Sequence, residues 1–552
     1  VIMSDQKKAR NSIIVQGSVL VVTAFVTRII GLLYRFPLTQ IIGKTGNDYY
    51  STAYSIYSIL LIISSYSLPT AVSKMISERE AKGEYENARR IFKGSMIFAI
   101  IAGGLSSVIL FFGADLFTRQ VQTPLASIAL RILSPVLLIV AVLGVLRGFF
   151  QGLRTTVPTA ISQIIEQIFN AVVSVAAAYY LFSYGAKVGG VLGDEKNYSA
   201  AYGAAGGTLG TAIGALSALL FMGFLFMIYK SQNGKRHKRR RGEYVESYST
   251  IFAVLITTII PVIFATTVYN ITSLAEMIVF KNLAVAQDYT AHQIHEWWGV
   301  YNGQYIVLQN VPISVASALV APSVPALSAS FAKRDHRGVQ SKISQVTRFI
   351  MVIALPCTVG MFVLASPIMQ LLFGDPDILS ARILMIGSLS IPFFAVSTLS
   401  SGILQGINRI RIPVRTSLIT LFAHMALLAV LMVGFHLNIY AVVLANCFDG
   451  FLMAVLNDYY VHKYSGTRYN WSKVFVLPAL ASLIMGAFVY VVYHVTYVIV
   501  SSNAISCVIS VFVGMLVYFV VILKIGGLTE KELRRVPKGA SLVRLAKKLH
   551  AL

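Results

Sequence analysis

Apolar runs of about 20 residues follow one another along nearly the whole chain, each long enough to cross a hydrocarbon core about 30 Å thick. They centre near residues 24, 58, 102, 136, 170, 216, 262, 311, 356, 392, 424, 448, 486 and 514, and predict fourteen spans. Polar residues interrupt the seventh and eighth. A backbone in lipid must satisfy its own hydrogen bonds, so the expected fold is an all-α integral membrane protein. Composition agrees, with 12% charged residues and a mean hydropathy of +0.72, where a soluble domain carries about twice that charged share. Val1 and Ile2 precede Met3 and read as a remnant, and the first span is expected to direct insertion without a cleavable leader.

Two pairs of passages recur about 255 residues apart, a period that marks duplicated units. Leu146 to Pro158 (LRGFFQGLRTTVP) matches Ser400 to Pro413 (SSGILQGINRIRIP), and the segment around Pro69 (SLPTAVSKMISEREAKG) matches that around Pro325 (SVPALSASFAKRDHRG). In both copies of the first pair Gly-x-x-Gln-Gly closes an apolar run and a proline opens the next. Two similar halves in a membrane are the architecture of a transporter. The expected organisation is two pseudo-symmetric six-helix lobes plus two C-terminal helices. Residues 1–240 hold spans 1–6 and a basic linker, 241–465 hold spans 7–12, 466–527 hold spans 13 and 14, and 528–552 form an amphipathic tail.

The net charge of +24 does not point to nucleic acid, because its distribution follows the membrane. Of the 46 Lys and Arg, the expected external segments hold only Arg35, Lys44, Arg119, Lys187, Lys196 and Lys281. Arg28, Arg131 and Arg382 fall within spans or at their edges. The rest lie on the other side, which predicts cytoplasmic termini by the positive-inside rule. The run Lys235 to Arg241 is a topology determinant or a clamp on anionic lipid. Met75 to Lys93 reads as an amphipathic helix pair about Gly83. Thr529 and Glu532 form a capping box before a basic amphipathic stretch. The longest external loops are expected at Ala186 to Ser199 and Ala284 to Trp298. Gly206, Gly210 and Gly214 form a small-residue face for close helix packing. Cys357, Cys447 and Cys507 are isolated and read as core residues.

Ionisable groups within spans carry the chemistry, since each costs roughly 2.5–3.5 kcal/mol or more at mid-bilayer. In TRIIGLLYRFP, Arg28 and Arg35 project from one helix face about 10 Å apart. With Lys74, five residues beyond Pro69, they predict a cationic ladder suited to phosphate. Snorkelling of Arg35 and ordinary anchoring by Lys74 are the plainer readings. Glu166 is expected to neutralise Arg28. Asp449, Asn446 and His424, with Glu276 on span 7, form a candidate site for a coupling proton or Na⁺, or alternatively a satisfied hydrogen-bond cluster. Ile41 to Gly46 (IIGKTG) lacks the first glycine of a phosphate loop. No HExxH, GxSxG or paired external carboxylates beyond Asp194-Glu195 are present, so no catalytic or metal site is expected.

The repeated Gln-Gly elements, the span 1 pattern TRIIGLLYR and the fourteen-span layout resemble the MOP flippase superfamily. Within it the chain is similar to the polysaccharide-export branch, the SpoVB/YtgP group related to MurJ-like lipid II flippases. The resemblance implies a MATE/MurJ-like fold in the bacterial plasma membrane. It also implies export of an undecaprenyl-pyrophosphate-linked sugar, above all the peptidoglycan precursor lipid II, by alternating access. Arg28, Arg35 and Lys74 occupy the places of cavity-facing basic residues, and Asp48 that of an acidic residue opening span 2. Two departures stand out: the span 1 arginines are seven apart rather than six, and Gln304 and Gln309 stand where a span 8 arginine is expected. The implied substrate set is therefore Arg28, Arg35, Lys74, Asp48, Glu166 and Gln304, and spans 13 and 14 resemble a pair forming a groove for the polyprenyl tail. Other readings are a cation-coupled multidrug exporter of the same superfamily and an envelope glycosyltransferase. The expected partners are the lipid-linked oligosaccharide and membrane lipids, with no nucleic acid, no cofactor and a monomeric state. Coupling to Na⁺, H⁺ or the membrane potential stays open.

Overall fold

The structure is a computed structural model that describes residues 19–20, 22–233, 245–332, 335–467, 469–530 and 539–548. The basic run 235–241 and Glu532 of the capping box lie outside the described residues. Every regular element among the described residues is a helix. Two compact units divide the chain, residues 1–299 and 300–552. The repeat places a lobe boundary near residue 240, whereas packing gathers the next helix into the first unit.

The first unit begins with α1 (Val22–Leu33) and α2 (Arg35–Leu61), which a π-turn at Ile62–Tyr66 links to α3 (Leu68–Lys82). α4 (Tyr85–Gln120), α5 (Ala126–Gly152), α6 (Val157–Leu192), α7 (Glu195–Asn233), α8 (Tyr248–Ala286) and α9 (Ala291–Val300) follow. The chain turns back within α2 at Gly43, whose φ of 69° and ψ of −175° belong almost only to glycine. The reversal brings Thr39 Oγ1 to Asn47 Oδ1 at 3.3 Å and sets the Arg35 guanidinium 4.4 Å over the Tyr50 ring.

In the second unit a π-turn at Tyr301–Tyr305 leads into α10 (Ile306–Ala332). It continues with α11 (His336–Val363), α12 (Ala365–Phe373), α13 (Ile378–Ser388), α14 (Ile391–Gly406), α15 (Arg411–Val433) and α16 (Asn438–Ser465). After a π-turn at Ser472–Val476 come α17 (Leu477–Val500), α18 (Asn503–Lys524) and a tail helix, α19 (Gly539–Lys548).

Ten helices among the described residues are long and apolar enough to cross a membrane, or eleven when α13 and α14, bent by 42°, count as one span. The expected fourteen is not reached by this measure. One stretch, Arg35–Lys82, contains the turn at Gly43, and only shorter apolar pieces, Val22–Leu33 and Tyr248–Ile260, mark spans 1 and 7. Both long external loops are corrected. α6 continues to Leu192 and α7 starts at Glu195, while α8 ends at Ala286 and α9 starts at Ala291. The polar residues there sit on helices that run past the apolar layer.

The repeated passages have a physical cause. In the first unit the Pro69 segment packs directly on the Gln-Gly segment. A Cβ on Gly148 would stand 2.7 Å from the Pro69 carbonyl oxygen, and one on Gly152 would stand 2.8 Å from Ile76 Cβ. In the second unit the matching pair, α10 and α14, shares a core containing Leu327, Leu399 and Ile403. Both Gln-Gly helices end alike, with Arg154 (φ 60°) and Asn408 (φ 61°) in the left-handed region. Their amides reach Gln151 O at 2.9 Å and Gln405 O at 3.1 Å, capping each last turn. The small-residue face of α7 is likewise a close contact. A Cβ on Gly206 would lie 2.5 Å from Ala177 O, one on Gly214 2.5 Å from Glu166 O, and one on Gly210 would collide with Ser174 Oγ.

Gly83 (φ 73°) separates α3 from α4, as the amphipathic pair predicts. Arg79 Nη2 lies 2.6 Å from Glu246 Oε1, and Arg90 Nη1 donates to Glu246 O at 2.9 Å. These contacts tie the start of α8 to the first unit. Beneath them Phe92 stacks 4.7 Å from Phe226 and 4.9 Å from Phe149. The tail helix buries Val543 and Ala546 against a cluster that includes Leu364, Ala481, Met485 and Leu528. Arg348 donates to the carbonyls of Gly526 and Gly527 at the end of α18.

Candidate functional site

The cationic ladder begins on the opening helix. Arg28 and Arg35 differ by nearly two helical turns, so they share a face. Between them Gly31 looks toward α6, with its Cβ position 3.7 Å from Gln167 Oε1. Arg28 is exposed, and no described residue is ion-paired or hydrogen-bonded to it. Arg35 is half-buried on the Tyr50 ring. That ring starts a ladder of tyrosines: Tyr50 stacks on Tyr54 at 5.1 Å, and Tyr54 meets Tyr57 edge-on at 5.7 Å. Tyr54 is held by Thr211 Oγ1 at 2.9 Å. Lys74 is exposed on α3 beside buried Met75 and Ile76 and has no ion-pair partner among the described residues. The three basic residues are thus not consumed by carboxylates.

The carboxylates expected beside them are occupied elsewhere. Glu166 does not neutralise Arg28. Its Oε2 lies 2.7 Å from Arg147 Nη2, and Arg147 Nε donates to Ser162 Oγ at 2.9 Å. Arg147 sits on α5, in the preceding span, so the ion pair staples α5 to α6 and leaves Arg28 without a carboxylate among the described residues. Asp48, expected to meet substrate, is fully enclosed. Lys281 Nζ approaches its Oδ1 at 2.5 Å and His295 Nδ1 its Oδ2 at 2.6 Å. Thr52 Oγ1 donates to Oδ1 at 3.1 Å, and Lys281 also reaches Thr52 at 3.0 Å and Thr123 at 2.7 Å. Asp48 is therefore the anion of an interior charge cluster joining α2, α8 and α9.

Lys281 was expected in an external segment, and His295 in an external loop. Their common chemistry is invisible to periodicity because 233 residues separate Lys281 from Asp48. The signal that existed was the ring sequence around them: Trp298 stacks on Phe280 at 5.6 Å and lies 5.9 Å from the Lys281 ammonium.

Of the candidate ion-coupling residues, Asn446, Asp449 and His424 lie in the second unit and Glu276 in the first. Asn446 Oδ1 accepts from Tyr305 Oη at 3.0 Å and from Gln309 Nε2 at 3.0 Å. Gln309 Nε2 also reaches Ser390 Oγ at 2.6 Å, and Tyr305 Oη contacts Ser390 Oγ and Gly387 O at 3.1 Å. Asn446 thus belongs to a satisfied network across the Tyr301–Tyr305 turn, α13 and α16. Asp449 and His424 are buried on α16 and α15, and Glu276 is buried on α8. Gln304 is buried in the π-turn, and its Oε1 meets no hydrogen-bond donor among the described residues.

The helical membrane fold with duplicated helix packing fits the comparisons with known proteins, by which the chain is a transporter of the MOP flippase superfamily, in its polysaccharide-export branch. The family described as "Polysaccharide biosynthesis protein" matches residues 14–331, and the chain belongs to it. The MatE family matches residues 307–430. The chain is 26% identical to the lipid II flippase MurJ of Bacillus subtilis (strain 168), over 94% of this chain and 96% of that protein. It is 23% identical to the stage V sporulation protein B of the same organism, over 65% of this chain and 66% of the relative. Among solved structures, a lipid II flippase MurJ in an inward closed conformation superposes with a TM-score of 0.64 at 17% identity, covering 91% of this chain and 97% of that one. An inward-facing multidrug resistance MATE transporter gives 0.63 at 13% identity, over 80% and 94%. These last two likenesses establish the fold.

Proposed function

We propose that the protein moves an undecaprenyl-pyrophosphate-linked sugar, above all lipid II, from the inner to the outer leaflet by alternating access. The observation that carries this reading is Arg28: a guanidinium within an apolar helix, exposed and without an ion-pair partner among the described residues. Such a group is costly in lipid unless an anion meets it, and its planar fork suits a pyrophosphate. Arg35 and Lys74 extend the positive surface, and the tyrosine ladder holds Arg35 in place. The basic residues of the opening spans suit an anionic lipid rather than a cationic drug, and the nearby carboxylates Asp48 and Glu166 are bound to Lys281 and Arg147.

The distribution of Lys and Arg supports cytoplasmic termini, and the likeness to the flippase of Bacillus subtilis supports the plasma membrane of a bacterium. Asp449, His424 and Glu276 are the proposed places for a coupling ion, with the membrane potential as the alternative drive. Asn446 is set aside for the network it serves. The test is depletion in the native host with identification of the lipid that accumulates. Build-up of an inner-leaflet lipid-linked sugar supports the reading, and accumulation of a drug substrate without it overturns the reading.

A further inference from the structure

We propose that the second unit carries a binding site for the phosphate headgroup of an anionic membrane lipid. The site is a pocket of about 360 Å³ between the α11–α12 junction, α13 and α17, within the size range of small-ligand sites. Arg382 of α13 lines it, and no described residue is hydrogen-bonded or ion-paired to that guanidinium. From α17 come Tyr490, Tyr493 and His494, while Leu364 and Met385 supply apolar wall.

The polar groups have defined roles. His494 Nδ1 lies 2.9 Å from Tyr490 O. A carbonyl only accepts, so Nδ1 carries the proton and Nε2 is an acceptor, which the hydroxyls of a phosphatidylglycerol headgroup can meet while the phosphate lies on Arg382. The imidazole is braced by the Tyr490 ring at 4.2 Å and the Tyr493 ring at 5.6 Å. Tyr493 Oη donates to Asn503 Oδ1 at 2.8 Å, and Asn503 Nδ2 donates to Pro367 O at 3.1 Å. That chain of bonds fixes α17 and α18 to α12, so the wall is preorganised.

Depth selects the ligand. Arg382 stands five residues after Asp377, the N-cap of α13, and His494 seven residues before Ser501, where α17 ends in the left-handed region. At 1.5 Å per residue both lie within about 10 Å of their helix ends. This is the level at which headgroups meet acyl chains, and where paired aromatic and basic side chains anchor to lipid. A monoanionic phosphodiester presents oxygens to the guanidinium fork there, while its acyl chains run along the exposed surface of Leu480, Leu483 and Val491. None of these residues belongs to the ladder of Arg28, Arg35 and Lys74, so the inference stands apart from the transport reading. Inorganic phosphate shares the chemistry, and the experiment separates the two sources.

Native mass spectrometry of the purified full chain, titrated with phosphatidylglycerol or phosphatidylcholine, tests the site. The wild type should retain one phosphatidylglycerol preferentially. Arg382→Ala should weaken that binding about tenfold, the scale of one charge-assisted contact; Arg382→Lys should weaken it less, and His494→Phe should reduce it while keeping the ring. Arg382 is exposed, so thermal unfolding of the variants should match the wild type, and His494→Phe provides a second probe if one variant is unstable. Equal binding of the two lipids, or unchanged phosphatidylglycerol binding in both Arg382→Ala and His494→Phe, overturns the proposal. Displacement of the lipid by millimolar inorganic phosphate would make this a free-anion site and overturns it as well.

Discussion

Replacing Lys281 with Met removes the cation from a cluster whose carboxylate has no route to water. Asp48 and Lys281 are both 0% exposed in their side chains. Met matches the length of the lysine stem, so packing changes little and the charge changes fully. Breaking a buried pair by deleting one partner costs about 3–5 kcal/mol, because the other charge stays enclosed. His295 remains 2.6 Å from Asp48 Oδ2 as a hydrogen-bond partner, which places the expected cost near the lower end, about 3 kcal/mol. The double variant Asp48→Asn, Lys281→Met removes both charges and should recover about 2 kcal/mol of that loss as coupling energy. Denaturant unfolding in detergent, followed by tryptophan fluorescence, is the assay, since Trp298 lies 5.9 Å from the ammonium. Wild-type stability in Lys281→Met, or a double variant whose loss equals the sum of its parts, would refute the reasoning.

Two other substitutions probe the frame of the first unit. Gly43→Ala meets no atom within 4 Å, so its expected cost of about 1–3 kcal/mol comes from the backbone at φ 69° alone, and unfolding by the same assay measures it. Arg147→Ala should lower stability by about 1.5–3 kcal/mol by removing charged hydrogen bonds to Glu166 and Ser162, whereas Glu166→Gln, which keeps an acceptor, should cost less; equal losses would contradict the staple.

The helical membrane fold was legible because length and apolarity carry it. The duplicated segments were legible too, and their cause is the packing of Pro69 on Gly148 and the shared left-handed residues Arg154 and Asn408. The unpaired state of Arg28 was half legible: its depth was readable, but Glu166 was assigned to it when Arg147, 19 residues before Glu166, was nearer in the fold. Asp48 was misread because a sequence shows a carboxylate's position along a helix and not what closes over it. Its partners Lys281 and His295 sit on helices that extend past the apolar run, where composition suggests a loop. The count of fourteen spans is left unconfirmed by length and apolarity at similar places. Gly43 reverses the chain inside one helical stretch, and the α13–α14 bend precedes Pro392 without an apolar break. Asn446 shows another case, a polar residue within a span that accepts from Tyr305 and Gln309, both of which also reach Ser390.

The most direct measurement reconstitutes the purified protein into liposomes holding a labelled undecaprenyl-pyrophosphate sugar and follows the fraction reached by a membrane-impermeant reagent. The account predicts that wild-type protein accelerates exposure of the label, that Arg28→Ala abolishes the acceleration, and that Arg28→Lys restores part of it. Transport by Arg28→Ala at the wild-type rate, with equal protein in the membrane, would contradict the account.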